Sequence, residues 1–154
     1  MEPTESVNSA GKSSAMHRVL LVDDSVLVRE GLRTILEGYP DLSVIGEAEN
    51  GMEAVSMASD VIPDVIVMDV NMPRMDGIEA TRRIKAAQSA IIVIGLSVSD
   101  APHIQQAMRG AGAAACLSKG AVATDLCEAI AAWAHRGDSS LTIHSPQDPR
   151  PRMV

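Results

Sequence analysis

Residues 63–77 read PDVIVMDVNMPRMDG, and this stretch decides the fold. The four apolar residues at 65–68 predict a strand that is buried on both faces, because a strand with one wet face would alternate polar and apolar side chains. Pro73 and Gly77 interrupt regular structure soon afterwards. We therefore expect Asp69 to lie where a rigid strand ends and a loop begins.

Other apolar runs also end in polar side chains. Residues 19–22 precede Asp23 and Asp24, residues 91–96 precede Ser97, and residues 113–118 precede Lys119. The carboxyl ends of parallel strands share one edge of a sheet, where crevices form. The sequence therefore predicts that these side chains and Asp69 meet in one crevice.

Segments with helical periodicity separate the apolar runs. A weakly alternating stretch at residues 42–48 supplies a further strand, and the last helix carries Leu126, Ala129, Ile130 and Trp133 at helical spacing. Five strands that alternate with five helices indicate βαβ units. The expected fold class is α/β, with a five-stranded parallel sheet and helices on both faces.

Length and composition restrict the class of protein. A chain of 154 residues suits one domain, and a formal charge of −7 argues against a broad nucleic-acid footprint. No apolar run resembles a signal peptide or a membrane span, so we expect a cytoplasmic protein with Cys116 and Cys127 as free thiols. Residues 1–16 and 137–154 lack periodicity, which predicts a disordered leader, a domain at 17–136 and a disordered tail.

Clustered carboxylates repel one another, and a divalent cation would remove that conflict. No histidine or cysteine lies at a predicted strand end, so oxygen ligands favour Mg²⁺ over Zn²⁺. We expect Asp24 and Asp69 to bind Mg²⁺ directly, Asp23 to act through water and the Asn71 backbone carbonyl to complete the protein's share.

A carboxylate beside Mg²⁺, with an ammonium and a hydroxyl nearby, is suited to phosphoryl transfer, which depends on positioning and charge neutralisation. Asp69 is the predicted nucleophile, and its product would be an acyl phosphate. Lys119 would neutralise the phosphoryl oxygens and Ser97 would bond to one of them.

The Asp23-Asp24 pair, the loop at residues 72–77, Ser97 and Lys119 together resemble the receiver domain of bacterial two-component response regulators. The resemblance covers roughly residues 17–136 and is nearest to the NarL subfamily. It implies the flavodoxin-like, CheY-like (βα)5 fold with strand order 2-1-3-4-5. It also implies that a histidine kinase or a phosphotransfer protein phosphorylates Asp69, and that the domain then switches its binding to an output partner. Such a domain is a phosphoacceptor rather than an enzyme, with self-catalysed phosphorylation and dephosphorylation at most.

Two positions depart from the receiver pattern. Receivers usually have Tyr or Phe three residues before the lysine, where this chain has Cys116, and many have proline where it has Gly120. The switch would then work through Ser97 alone, or the output face would be recognised differently. Cys116 itself is expected to be an inert buried thiol.

Other functions stay open. A receiver-like docking module that needs no phosphorylation is compatible with Cys116, and so is the receiver half of a truncated NarL-type transcriptional regulator. A haloacid-dehalogenase-like hydrolase would use Asp69 and Asn71 but usually needs a cap domain, for which no segment is spare. The proline-containing tail offers no helix-turn-helix, so we expect this chain alone to bind no nucleic acid and no membrane. A homodimer through the last helix is compatible with its apolar stripe.

Overall fold

The computed structural model describes residues 16–99 and 101–137, in which five parallel strands alternate with five α-helices. The predicted disordered leader and tail lie outside the described residues, apart from Met16 and Gly137. The predicted domain boundaries at 17 and 136 therefore stay predictions.

The strands are β1 (His17–Val22), β2 (Leu42–Ala48), β3 (Val65–Asp69), β4 (Ile92–Ser97) and β5 (Ala115–Ser118). The α-helices are α1 (Val26–Glu37), α2 (Gly51–Val61), α3 (Gly77–Ala87), α4 (Pro102–Ala111) and α5 (Val122–Gly137), and a 3-10 turn at Lys119–Ala121 joins β5 to α5. The sheet order is β2-β1-β3-β4-β5, which confirms the predicted order 2-1-3-4-5. Across the described part of the chain, no helix has the length and apolar character that a bilayer span requires.

Three helices begin at a side chain that caps them. Ser25, Asn50 and Asp76 precede α1, α2 and α3, and each side chain accepts a hydrogen bond from the backbone N–H three residues further along, at 2.9–3.3 Å. Such caps satisfy N–H groups that have no partner within the helix. They fix the residue at which each of these helices begins after the preceding strand.

The sheet is covered by helices on both faces, as the continuous apolar run of β3 predicts. Ile66 and Met68 pack in a cluster with residues of α2, α3 and α4, whereas Val65 and Val67 pack in a second cluster with residues of α1 and α5. All five residues of β3 are buried. The strand that ends in Asp69 is therefore held by apolar packing from two sides.

The loop after β3 folds back closely on the strand that precedes it. The Gly77 N–H donates to the Val70 carbonyl at 2.8 Å, and a Cβ added at Gly77 would lie 2.1 Å from the backbone oxygen of Asp69. The backbone at the end of β3 and the backbone at the start of α3 cannot move apart without a large cost in free energy, so only glycine fits at this position. Gly77 thus allows α3 to begin directly against the end of β3.

We predict that Gly77→Ala lowers the free energy of unfolding by roughly 2–4 kcal/mol, because its methyl group would displace backbone at the end of β3. Gly31→Ala is the matched control, since a Cβ there meets nothing within 4 Å in the middle of α1. The control should stabilise the chain by up to about 1 kcal/mol through better helix propensity. Urea unfolding followed by circular dichroism measures both changes, and equal effects would contradict the close approach.

Candidate functional site

The polar side chains predicted to meet do lie at one edge of the sheet. Asp23 follows β1, Asp69 ends β3, Ser97 ends β4 and Lys119 follows β5. In the register of β3 and β4, Asp69 is opposite Leu96, the residue before Ser97. Four separate strands therefore deliver the candidate residues to a common place.

Lys119 forms an ion pair with each of two buried carboxylates. Its Nζ lies 2.8 Å from Asp23 Oδ2 and 3.3 Å from Asp69 Oδ1. The side chains of Asp23 and Asp69 are 1% and 3% exposed, whereas Asp24 is exposed. One carboxylate oxygen from each of the three aspartates lies within 4.8 Å of the others. One ammonium thus pairs with the two buried members of a cluster of three acidic groups.

This crowding changes proton affinities in the cluster. Burial, followed by the charge of Asp23, raises the pKa of Asp69 to about 6, although Lys119 and the Asn71 N–H act in the opposite direction. The Asn71 N–H donates to Asp69 Oδ1 at 3.2 Å. Burial acts to lower the pKa of Lys119, but hydrogen bonds and charge from the two carboxylates outweigh it and the pKa is raised. Asp69 therefore ionises at a free-energy cost that Lys119 only partly offsets.

The donor atoms of this cluster fit a hard divalent cation. All three candidate side chains offer carboxylate oxygens, which suit Mg²⁺, and their mutual repulsion is what a bound cation would relieve. The predicted ligand atom of Asn71 is its backbone carbonyl, whereas the contact observed here uses its N–H. The metal-ligand assignments stay predictions.

Ser97 and Cys116 are also buried. Ser97 is 1% exposed, and its Oγ accepts a hydrogen bond from the Ser99 N–H at 3.1 Å. Cys116 is 7% exposed and packs in the core cluster that includes Met108. Burial raises the pKa of the Cys116 thiol, while the charge of Arg109 acts to lower it. The predicted burial of Cys116 is confirmed, and its raised pKa agrees with an inert thiol.

Sequence reasoning missed Arg29, which contacts the backbone of the acidic pair. Its Nη1 donates to the Asp23 carbonyl oxygen at 2.5 Å and its Nε donates to Glu47 Oε1 at 2.7 Å. The sequence did contain one signal for this contact, namely a basic residue one turn into the helix that follows the acidic pair. The pairing with Glu47 on β2 joins residues that are 18 positions apart, which no local pattern indicates.

A comparison with protein families identifies the family of the chain. The model of the response regulator receiver domain matches residues 19–131. The chain belongs to this family. The predicted resemblance to response regulator receivers, nearest to the NarL subfamily, is thereby confirmed.

Similar curated proteins are mostly regulators in which the receiver is one part. The transcriptional regulatory protein LiaR of Bacillus subtilis is 42% identical over 127 residues, which are 82% of this chain and 59% of LiaR. The response regulator UvrY of Escherichia coli is 42% identical over 115 residues, 75% of this chain and 53% of UvrY. The receiver thus spans little more than half the length of these two relatives.

One similar protein is an enzyme. A protein-glutamate methylesterase/protein-glutamine glutaminase of Methanospirillum hungatei is 45% identical over 106 residues, 68% of this chain but 30% of that protein. The match runs through its receiver domain, and the esterase activity does not carry over to this chain.

Solved receivers have the same fold. A LuxR-family response regulator from an Aurantimonas species is 32% identical with a TM-score of 0.76, covering 79% of this chain and 87% of that one. A signal receiver domain assigned to NarL from Mycobacterium tuberculosis is 30% identical with a TM-score of 0.75, covering 79% and 98%. A CheX–CheY complex with BeF₃ and Mg²⁺ from Borrelia burgdorferi is 25% identical with a TM-score of 0.69, covering 77% and 90%.

We predict that Asp69→Asn stabilises the chain at pH 7.5 in EDTA. The pKa of Asp69 is about 6 when folded against 3.8 ordinarily, so the folded state binds more protons between these values and the free energy of unfolding falls as pH rises through this window. Asparagine removes that loss and should add roughly 1–3 kcal/mol at pH 7.5 but little near pH 4.

Urea unfolding at the two pH values measures this difference. Asp60→Asn, at an exposed position on α2, is the control and should change the free energy of unfolding by less than about 0.5 kcal/mol. Equal stabilities of wild type and Asp69→Asn at pH 7.5 would show that burial of the carboxylate carries no such cost.

Proposed function

We propose that this receiver accepts a phosphoryl group on Asp69 from a histidine kinase or a phosphotransfer protein, and thereby changes its binding to an output partner in two-component signalling. The observation that carries the proposal is the buried Asp69 carboxylate with Lys119 Nζ 3.3 Å away, at the carboxyl edge of a receiver sheet. The cytoplasm is the proposed location, because the donors of such phosphoryl groups act there.

The contacts of Asp69 distinguish its two carboxylate oxygens. Oδ1 is close to both Lys119 Nζ and the Asn71 N–H, at 3.3 and 3.2 Å. Oδ2 is therefore the oxygen proposed to attack phosphorus. The Oδ2–P bond forms as the P–N bond to the donor histidine breaks, and the electron pair of that bond goes to the imidazole, which is then protonated. A pKa of about 6 leaves the carboxylate ionised at neutral pH, as attack requires.

The same residues fit a site for Mg²⁺. The proposed ligands are oxygen atoms: the carboxylates of Asp24 and Asp69, the Asn71 backbone carbonyl, and Asp23 through water. The two oxygens of Asp23 already have partners, since Oδ1 accepts from the Ser25 N–H at 2.9 Å and Oδ2 lies 2.8 Å from Lys119 Nζ. This supports a role for Asp23 through water. When bound, Mg²⁺ would supply positive charge that offsets the charge on the phosphoryl oxygens.

Ser97 is proposed to communicate phosphorylation to α4. Its hydroxyl now accepts from the Ser99 N–H, in the segment that leads into α4. A hydroxyl can accept and donate at once, so the proposed signal is a movement of the Ser97 Oγ toward a phosphoryl oxygen on Asp69, which changes its contact with the Ser99 N–H. Phosphorylation would thus shift the population of conformations at the start of α4, where a partner can detect it.

Two other functions have an observation in their favour. Cys116 in place of the usual aromatic residue favours a docking module that needs no phosphorylation. The shares of LiaR and UvrY that this chain matches favour a receiver that belongs to a longer transcriptional regulator, with nucleic-acid binding outside the receiver. Both differ from the leading proposal in what phosphorylation of this chain would do.

We predict that the chain gains one phosphoryl group from acetyl phosphate and that this gain requires Mg²⁺. Intact mass spectrometry measures the product for wild type, Asp69→Asn and Asp69→Ala. Both variants should gain none, and the Asp60→Asn control should match wild type. A folded wild type that binds Mg²⁺ but gains no phosphoryl group would favour the docking module instead.

We predict that Ser97→Ala separates phosphorylation from switching. The variant should still gain the phosphoryl group, because Ser97 is not the nucleophile, but the amide resonances of residues 102–111 should no longer shift on addition of BeF₃⁻ and Mg²⁺. Ser89→Ala, at an exposed position, is the control and should shift as wild type does. If the resonances of residues 102–111 shift in Ser97→Ala as they do in wild type, the proposed path to α4 is contradicted.

A further inference from the structure

Arg29 connects three parts of the chain beside the proposed magnesium site. From one turn into α1, its guanidinium donates to the carbonyl oxygen of Asp23, in the loop after β1, and to Glu47 on β2. The side chain is 13% exposed. Arg29 thus hydrogen-bonds to the backbone of the acidic pair, yet within the described residues it makes no hydrogen bond or ion pair with the carboxylates of Asp23, Asp24 and Asp69.

Asp23 is held at each of its polar groups. The partners are the Ala48 carbonyl for its N–H, Arg29 for its carbonyl, the Ser25 N–H for Oδ1 and Lys119 for Oδ2. In three of these contacts the partner is a backbone group, of Ala48 or Ser25, or is Lys119 of the ion cluster. Arg29 supplies the remaining one, at the carbonyl that begins the peptide bond to Asp24.

Asp24 depends on that peptide bond for its orientation. Its side chain is exposed, and no group within the described residues donates a hydrogen bond to its carboxylate. A peptide group is planar, so a fixed Asp23 carbonyl also fixes the N–H and Cα of Asp24. The position of the Asp24 Cα, from which its side chain extends, is therefore set in part from the side of Arg29.

The charge of Arg29 is balanced locally. Glu47 accepts from both Arg33 and Arg29, and these hydrogen bonds hold the pKa of Glu47 below its usual value. Because Glu47 offsets the guanidinium, Arg29 can anchor the acidic loop without strongly repelling a cation bound there. Arg33 also donates to Glu47 but, within the described part of the chain, forms no hydrogen bond with Asp23. Arg33 is therefore a matched control for Arg29.

We propose that Arg29 is a positioning residue for Mg²⁺, and that it acts by fixing the Asp23–Asp24 peptide plane so that the Asp24 carboxylate faces the cluster. The inference rests on the proposed function, since it concerns the same metal site. It predicts that Arg29 controls Mg²⁺ affinity without contacting the ion.

The test is a Mg²⁺ titration of the full ¹⁵N-labelled chain, followed by amide resonances that also report whether each variant is folded. Arg29→Met should raise the dissociation constant for Mg²⁺ about tenfold, as expected when a partner of a ligand is removed. Arg33→Met should stay within about twofold of wild type. Arg29→Lys keeps a donor for one of the two acceptors and should fall between them, which decides the matter if Arg29→Met does not fold.

A second arm asks whether Arg29 acts through Asp24. In an Asp24→Asn background, Arg29→Met should change the remaining affinity by less than about twofold, because the Asp24 carboxylate that Arg29 is proposed to position is no longer there. A full tenfold effect in that background would overturn the inference, and so would equal effects of Arg29→Met and Arg33→Met on the wild-type background.

Parallel reactions with acetyl phosphate separate this inference from the proposed function. If wild type binds Mg²⁺ and gains a phosphoryl group while Arg29→Met and Arg29→Lys have wild-type affinity, only the role of Arg29 is wrong. If wild type neither binds Mg²⁺ nor gains a phosphoryl group, the proposed function and the role of Arg29 are both wrong.

Discussion

The ion cluster of Lys119 with Asp23 and Asp69 is the interaction on which the functional edge of this receiver depends. Burying a carboxylate costs several kcal/mol unless a counter-charge and hydrogen bonds compensate for it. Here one ammonium, 2.8 and 3.3 Å from the two carboxylates, serves both. The raised pKa of Asp69 shows that compensation is incomplete. The folded chain therefore keeps a local excess of negative charge, which is the physical basis of the cation binding that we propose for this edge.

The fold supplies the stability that this cluster lacks. β3 is covered on both faces by aliphatic side chains, so the position of Asp69 is determined by packing and not by its own charge interactions. Gly77 then lets α3 start against the strand end, which confines the loop beside Asp69. The costly arrangement of charges is thus built on the central strand of the sheet, all of whose residues are buried, and the loops after β1 and β3 contribute Asp23, Asp24 and Asn71.

Sequence reasoning predicted the strand ends well because continuous apolar runs and their polar successors are local signals. The meeting of Asp23, Asp69 and Lys119 followed from parallel strands sharing an edge, but the strand order came from resemblance, since local patterns do not distinguish alternative orders. The role of Arg29 was beyond prediction for a related reason. Its contact with Glu47 depends on how α1 packs across β2, and its contact with the Asp23 carbonyl uses a backbone atom that every residue has.

Packing around Cys116 explains how this receiver accommodates the missing aromatic side chain. A Cβ added at Gly95 on β4 would lie 2.6 Å from the terminal methyl of Met108 and 3.3 Å from the sulfur of Cys116. The space beside β4 and β5 is therefore filled by the flexible side chain of Met108, which is itself completely buried. Because Met108 belongs to α4, movement of that helix must repack this region directly. The proposed coupling between Ser97 and the surface would then run through α4 as a unit, and it would need no ring that rotates between two positions.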